Sequence, residues 1–191
     1  FFVRGVRWRD EPLDFLAARG FNTIWTDVLP TAEEMAQAER ANLWFVCPPP
    51  RADAIAQSGL TMPLDRVLAW NLGRPEGRHE LDYFRRWAEL VRQKDPLDGR
   101  PIIVAPIADW LPCSKIGDVL QASHPASSRL AIEEYAQWLR SLPLVAQPGS
   151  LFWASVPTQP GTAVRQQTAM LSRRPQSSAM LDESQIELLV R

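Results

Sequence analysis

Short apolar segments alternate with amphipathic helical segments along this chain, and that alternation restricts the folds it can adopt. Strands that are apolar on both faces are typical of a parallel sheet covered by helices, because each face is then buried. Seven such strands are predicted, at residues 2–6, 22–26, 43–47, 67–71, 102–105, 118–122 and 151–156. The pattern therefore predicts an α/β fold with a parallel sheet.

Helix signals separate these strands. Asp10 with Pro12 predicts a helix start and Gly20 its end, while Thr31 and Glu34 form the pattern of a capping box. The clearest helical stripe in the sequence consists of Leu81, Phe84, Ala88 and Val91. Further helices are predicted over residues 52–57, 131–142, 163–171 and 182–190.

Seven strand–helix units fit two architectures. The first is a (β/α)₈ TIM barrel that is incomplete, since the chain ends after the helix that would lead into an eighth strand. The second is an open, doubly wound parallel sheet, although no GxGxxG or Walker glycine loop provides the usual nucleotide site of such sheets. We expect residues 1–191 to form a single barrel domain.

Composition narrows the classes of ligand and partner. The net charge of −1 gives no electrostatic basis for binding nucleic acid or an anionic membrane, and no apolar run approaches a membrane span. Cys47 and Cys113 are too few for a metal framework, so no metal or cofactor is predicted, and we expect both to be buried thiols. The chain begins directly on a strand, so we expect a trimmed N-terminus, and a removed targeting signal would fit an exported protein. The oligomeric state is left undetermined.

In a TIM barrel the reactive groups lie at and just beyond the C-terminal ends of the strands. Aromatic and mixed polar residues occupy these positions, a set that suits a polyhydroxylated ligand because indole rings stack on sugar faces while carboxylates, amides and arginines bind hydroxyls. The candidate catalytic carboxylates are Asp27, Glu76 and Asp109. The candidate ligand-binding residues are Trp8, Trp25, Trp70, Asn71, Arg74, Trp110, His124 and Gln159. Three further tryptophans, Trp44, Trp87 and Trp138, are expected to pack in the core.

Several stretches resemble clan A glycoside hydrolases. The first strand, and the stretch Gly20-Phe21-Asn22-Thr23-Ile24-Trp25, resemble the first two strands of that clan, and residues 43–48 are similar to its third strand. Residues 67–73 resemble the fourth strand, where the clan reads W-x-x-x-N-E-P, and residues 182–191 resemble the helix before the last strand. The chain is also similar to barrel proteins of planctomycete-like bacteria. The resemblance implies a bacterial, carbohydrate-related barrel.

The departures from the clan concern its two catalytic glutamates. In retaining members an acid/base Glu follows the Asn at the end of the fourth strand, but here Leu72 follows Asn71 and the nearest carboxylate is Glu76. The nucleophilic Glu belongs at the end of the seventh strand, where this chain has Gln159. An amide cannot replace an ionised nucleophile. Retaining hydrolysis needs two carboxyl groups about 5–5.5 Å apart, and inverting hydrolysis about 6.5–9.5 Å.

Three functions follow. The first is a glycoside hydrolase-like barrel that binds carbohydrate without an intact catalytic pair, a pseudoenzyme. The second is an active hydrolase that uses a displaced pair drawn from Asp27, Glu76 and Asp109. The third is a non-catalytic scaffold domain of a larger protein, in which the polar groups of the rim are solvated or locally bonded.

Overall fold

The fold is a curled half-barrel of seven parallel strands, seen in a computed structural model that describes residues 2–60, 64–97, 99–124 and 132–155. The strands are β1 Gly5–Arg7, β2 Thr23–Trp25, β3 Trp44–Cys47, β4 Val67–Asn71, β5 Ile102–Val104, β6 Val119–Ala122 and β7 Leu151–Ala154. The helices are α1 Leu13–Ala18, α2 Ala32–Arg40, α3 Ala52–Ser58, α4 Leu81–Lys94, α5 Trp110–Cys113 and α6 Ile132–Ser141. Single 3₁₀ turns occupy Arg78–Glu80 and Leu142–Leu144.

The strands lie in the sheet in the order of the sequence, and every neighbouring pair is parallel. A doubly wound sheet would instead reverse its strand order at a switch point. When right-handed crossovers always advance in one direction, the helices all lie on the same face of the sheet. The other face must then be enclosed by curling, which is the geometry of a TIM barrel.

An aromatic contact shows directly that the sheet curls. The indole rings of Trp25 on β2 and Trp153 on β7 meet edge to face, with centroids 6.2 Å apart. Five strand intervals separate β2 from β7, which would place them about 24 Å apart in a flat sheet. The barrel interpretation is therefore confirmed, and the open sheet is wrong.

Two apolar layers correspond to the two faces of the sheet. The inner layer holds Val46, Ala69, Ile103 and Val119, with Trp25 and Trp153 packed against it. The outer layer, between sheet and helices, is much larger and includes Phe45, Trp70, Ile102 and the α4 stripe predicted from the sequence. Since neighbouring strand residues point to opposite faces, this division decides which side chains can reach the barrel interior.

The helix-end signals in the sequence are confirmed at the start of α2 and at the end of α1, but the one for the start of α1 is wrong. Thr31 and Glu34 form the predicted capping box, and Gly20 follows α1 with a φ of 83°. Asp10 does not cap α1, because the helix begins at Leu13 after Pro12 and Asp10 itself has a left-handed φ of 65°. The predicted helices at 163–171 and 182–190, like Gln159, lie outside the described residues.

Strand β1 begins later than its apolar pattern predicted. The Asn22 side chain bonds to this stretch: its Oδ1 accepts from the Arg4 amide at 2.8 Å, and its Nδ2 donates to the Phe2 carbonyl at 2.7 Å. Side-chain bonds thus hold the Phe2 carbonyl and the Arg4 amide, while the Arg4 carbonyl accepts from the Asn22 and Thr23 amides at 3.1 and 3.3 Å. None of the described helices is long and apolar enough to cross a membrane.

Candidate functional site

The site is built from residues at the C-terminal ends of the strands whose side chains share the inner face. Arg7 pairs in register with Trp25 across β1 and β2, and Trp25 belongs to the inner layer. Asn71 lies two residues beyond the inward Ala69 on β4, so it shares that face. We call Arg7, Trp25, Asp27, Asn71 and Trp153 the mouth group.

An exposed ion pair joins two members of the mouth group. The Arg7 guanidinium donates to both Oδ1 and Oδ2 of Asp27 at 2.5 Å. The two side chains are 62% and 64% exposed, so both stay within reach of a ligand. The pair bridges the ends of two neighbouring strands and fixes where the carboxylate stands, although an ion pair this exposed contributes little to stability.

Asn71 holds the turn that follows β4. Its Oδ1 accepts a hydrogen bond from the Gly73 amide at 3.0 Å, and Gly73 has a φ of 85°, a backbone conformation that favours glycine. The Gly73 carbonyl in turn accepts from the Ala105 amide at 2.9 Å. The start of the β4–α4 loop is therefore fixed to the end of β5, and the Nδ2 group of Asn71 donates to no group of the described residues.

The other two candidate carboxylates, Asp109 and Glu76, lie in other loops and share no hydrogen-bond partner with Asp27 among the described residues. Asp109 precedes α5 in the left-handed conformation, with a φ of 54°, and accepts from Arg78 Nε at 2.9 Å. Glu76 is exposed in the β4–α4 loop, as is Arg74, and the Glu76 amide donates to Glu80 Oε2. The structure thus pairs Asp27 with Arg7 at the end of β1, and Asp109 with Arg78 in the turn before α4.

Two tryptophans predicted at the mouth lie on the helix-facing side instead. Trp70 is fully buried, and its indole N–H donates to Asp95 Oδ2 at 2.6 Å. Trp8 packs against the outer layer, where its ring meets Phe45, and its N–H donates to the Glu11 carbonyl. Alternation explains both cases. Trp70 lies between Ala69 and Asn71, which point inward, so it points outward. Trp8 follows Arg7, which shares the inner face with Trp25, so it too points outward. A ligand inside the barrel therefore cannot touch either tryptophan.

Trp110 and His124 both belong to an outer aromatic cluster that is centred on Trp138 of α6. Trp138 of α6 contacts both of them, with ring centroids 6.1 Å from Trp110 and 4.8 Å from His124. Tyr135 lies 5.5 Å from Trp138 and donates from its hydroxyl to the Ser155 carbonyl at 2.7 Å. Burial raises the pKa of Tyr135 to about 12. The cluster packs α6 against the end of the sheet and is separate from the mouth group.

Both cysteines are free and buried, as predicted. Burial raises the pKa of the Cys47 thiol to about 12, although the Arg100 charge opposes that shift. Burial, with a smaller contribution from the Asp109 charge, raises the pKa of Cys113 to about 11. In residues 2–60, 64–97, 99–124 and 132–155, no group of three or more His, Cys, Asp or Glu side chains is placed to hold a metal ion.

Stability should fall in alkaline solution because of these thiols. The unfolded chain releases thiol protons near pH 9.0, whereas the folded protein keeps them until about pH 11 or 12. Between those values the unfolded state binds fewer protons, so the free energy of unfolding decreases by up to about 1.4 kcal/mol per pH unit for each thiol. Urea unfolding at pH 8 to 10.5 measures this slope. The Cys47→Ala/Cys113→Ala variant should show a shallower slope, and equal slopes would contradict the assignment.

Comparison with known proteins identifies the fold. No protein-family model and no curated protein sequence matches this chain. Among solved structures, it is similar to the glycoside hydrolase family 17 β-1,3-glucanosyltransferase from Rhizomucor miehei, with a TM-score of 0.57 and 14% identity over 83% of this chain and 73% of that one. It is also similar to the FMN-binding β-glucuronidase from Facaelibacterium prausnitzii L2-6, with a TM-score of 0.58 and 13% identity. That match covers 80% of this chain and 29% of the glucuronidase.

At these identities the comparisons establish the fold alone: a TIM-barrel-like fold of the kind found in glycoside hydrolases. Two mouth residues, Arg7 and Trp153, were not among the candidates from the sequence. Trp153 follows Phe152, which points outward, so alternation along β7 places Trp153 on the inner face. The sequence did not show this, because both faces of β7 carry apolar residues and neither could be assigned to the interior. Arg78, the partner of Asp109, was also missed, and no local pattern identifies a partner 31 residues away.

Proposed function

We propose that this protein binds carbohydrate at the mouth of the half-barrel and lacks the carboxylate pair of a glycoside hydrolase. The observation that carries the proposal is the mouth group, in which an exposed Arg7–Asp27 pair stands on the same face as the partly exposed rings of Trp25 and Trp153. The barrel also shares its fold with enzymes whose names refer to glucan and glucuronide chemistry. A neutral oligosaccharide is the ligand class that suits these groups.

The tryptophans supply the apolar part of such a site. Their rings meet at 71°, so one ring presents a face where the other presents an edge. A pyranose ring has apolar CH faces that stack on an indole, and such aromatic contacts contribute about 0.5–1.5 kcal/mol beyond buried area. Because each ring is held by the other, little conformational freedom is lost when a sugar binds.

The polar groups supply the orientation. The Asp27 carboxylate has more acceptor sites than Arg7 occupies, so it accepts from sugar hydroxyls while Arg7 holds it in place. The Nδ2 group of Asn71 and the remaining N–H groups of Arg7 donate to hydroxyl oxygens. Every sugar hydroxyl both donates and accepts, so a mixed set of this kind binds it from both sides.

Hydrolysis receives less support than binding. A displaced pair would need two of Asp27, Glu76 and Asp109 to face each other across the bond. Asp27 and Asp109 instead serve separate ion pairs, and Gln159 occupies the nucleophile position in the sequence. A planctomycete-type bacterial source, a single domain over residues 1–191 and the absence of nucleic-acid binding all stay predictions from the sequence.

Calorimetric titration with laminarihexaose, cellohexaose and maltohexaose tests the proposal, together with an assay for newly released reducing ends. We expect saturable binding of at least one glycan, no release of reducing ends, and a loss of about tenfold in affinity for Asp27→Ala. Asp109→Ala is the matched control, since it removes an ion-paired carboxylate outside the mouth group. Absence of heat from all three glycans would favour the scaffold, and glycan cleavage that Asp27→Asn abolishes would favour the hydrolase.

A further inference from the structure

A groove on the outer surface, remote in sequence from the mouth group, carries unused binding groups. Its volume is about 430 Å³, and Ala52 of α3 forms one side of it. The remaining lining comes from one helix, α4: Tyr83, Arg86, Trp87, Glu89, Leu90 and Gln93. These positions recur every three or four residues, so they form one stripe along the helix that lies beside the buried stripe. We call this site the α4 groove.

Two aromatic rings form the floor of the α4 groove. The rings of Tyr83 and Trp87 have centroids 5.7 Å apart and are tilted by 40°. Trp87 is fixed because its indole N–H donates to the Pro50 carbonyl at 2.9 Å, which occupies its polar edge and leaves its ring to the groove. Tyr83 is 41% exposed, an unusual degree for a large aromatic side chain that packs against two other rings.

The polar groups around this floor are available to a ligand. Arg86 donates through Nε to the Asp82 carbonyl at 3.2 Å, and its terminal nitrogens donate to no group in the described part of the chain. Within the part of the chain that the structure describes, the Tyr83 hydroxyl, the Glu89 carboxylate and the Gln93 amide form no hydrogen bond or ion pair with the protein. The aromatic floor is thus surrounded by one cation, one anion, one amide and one hydroxyl. The net charge of these four groups is zero.

We infer that the α4 groove is a second carbohydrate-binding site, for neutral oligosaccharides. The rings suit the CH faces of a pyranose, and the polar set both donates and accepts, as hydroxyl groups require. An anionic ligand would meet Glu89, and a cationic ligand would meet Arg86. A peptide backbone also donates and accepts hydrogen bonds, so a dipeptide is the competing ligand in the test below. This inference does not depend on the proposed function, since none of its residues belongs to the mouth group.

Fluorine NMR of the protein labelled with 5-fluorotryptophan separates the two sites. The chain contains eight tryptophans, and single Trp→Phe variants assign their signals. Titration with laminarihexaose, cellohexaose or maltohexaose should shift the Trp87 signal saturably at millimolar concentrations. A ligand at the mouth would instead shift the signals of Trp25 and Trp153. Binding at the α4 groove and binding at the mouth are therefore measured separately, and each proposal can fail without the other.

Variants on the same helix complete the test. Tyr83→Ala and Glu89→Ala should each weaken the affinity reported by Trp87 by about tenfold. Arg85→Ala, on α4 but outside the groove lining, should leave it unchanged. The inference is overturned if no hexasaccharide shifts the Trp87 signal, if the shift keeps its affinity in Tyr83→Ala, or if a Phe-Gly dipeptide shifts the signal while the glycans do not.

Discussion

Replacement of Asp95 by alanine should destabilise the half-barrel by roughly 3–5 kcal/mol, because it leaves a buried charge without its partner. Asp95 and Arg100 form an ion pair at 2.5 Å with side chains only 5% and 6% exposed. Arg100 also donates to the carbonyls of Val67 and Leu64, at 3.0 and 2.7 Å. These neutral acceptors would remain in the variant, but they cannot balance the guanidinium charge.

The same substitution removes a second bond, since Asp95 Oδ2 accepts from the indole N–H of Trp70. A fully buried donor without an acceptor carries its own desolvation cost. Asp95 follows α4, Arg100 precedes β5 and Val67 begins β4, so the ion pair lies at the barrel end opposite the mouth, where TIM barrels place stability and not chemistry. The Trp70 indole reaches this network from the second half of β4. The network thus explains why Trp70 is buried in the outer layer.

Urea unfolding followed by far-UV circular dichroism measures this effect. Arg85→Ala is the matched control: it breaks the Arg85–Asp82 pair, whose side chains are 49% and 79% exposed, and should cost less than about 0.5 kcal/mol. Asp95→Asn keeps one acceptor oxygen but loses the other and the charge, so its cost should fall between the two. A cost for Asp95→Ala as small as that of the control would show that the pair does not hold these elements together.

Substitution of Trp25 by alanine should weaken glycan binding by about tenfold to a hundredfold. The reason is twofold: the variant loses one stacking surface and frees the ring of Trp153, which Trp25 holds at 6.2 Å. Trp25 is only partly buried and its side chain is absent from the larger outer core, so we expect the variant to fold. Calorimetry with the hexasaccharide that binds best to the unmodified protein gives the affinity.

Trp8→Phe is the control for this prediction. Trp8 also follows the end of a strand, but its ring packs toward Phe45 in the outer layer, so binding should change by less than about twofold. The comparison distinguishes inner from outer positions at the same end of the barrel. Loss of binding in the Trp8 variant together with normal binding in the Trp25 variant would contradict the mouth group.

Much of the fold could be predicted from periodicity, because burial leaves a regular trace in the sequence. The stripe from Leu81 to Val91 is buried as predicted, and all seven strands lie within a few residues of their apolar segments. The limits of β1 could not be predicted, since the Asn22 side chain binds the Phe2 carbonyl and the Arg4 amide just before the strand. That contact joins residues far apart in the sequence and has no local signature.

The site was harder to predict because strands buried on both faces do not reveal which face is which. Trp70 and Asn71 are neighbours at the end of β4, yet one points to the helices and the other to the barrel interior. A register irregularity near Phe45 and Val46 shifts the alternation between β3 and β4, so counting along the chain does not resolve it. Ion pairs such as Arg7–Asp27, 20 residues apart, depend on that same alternation.

The contact between Trp25 and Trp153 allows the most direct test, through a nuclear Overhauser effect between the two indole rings. Because the rings lie 6.2 Å apart across the barrel interior, their protons should give a cross-peak once both residues are assigned from single Trp→Phe variants. A flat seven-stranded sheet would separate β2 and β7 by about 24 Å and give none. A cross-peak would establish that the strand ends converge on a common mouth, whereas its absence between assigned rings would leave no cavity there for a sugar.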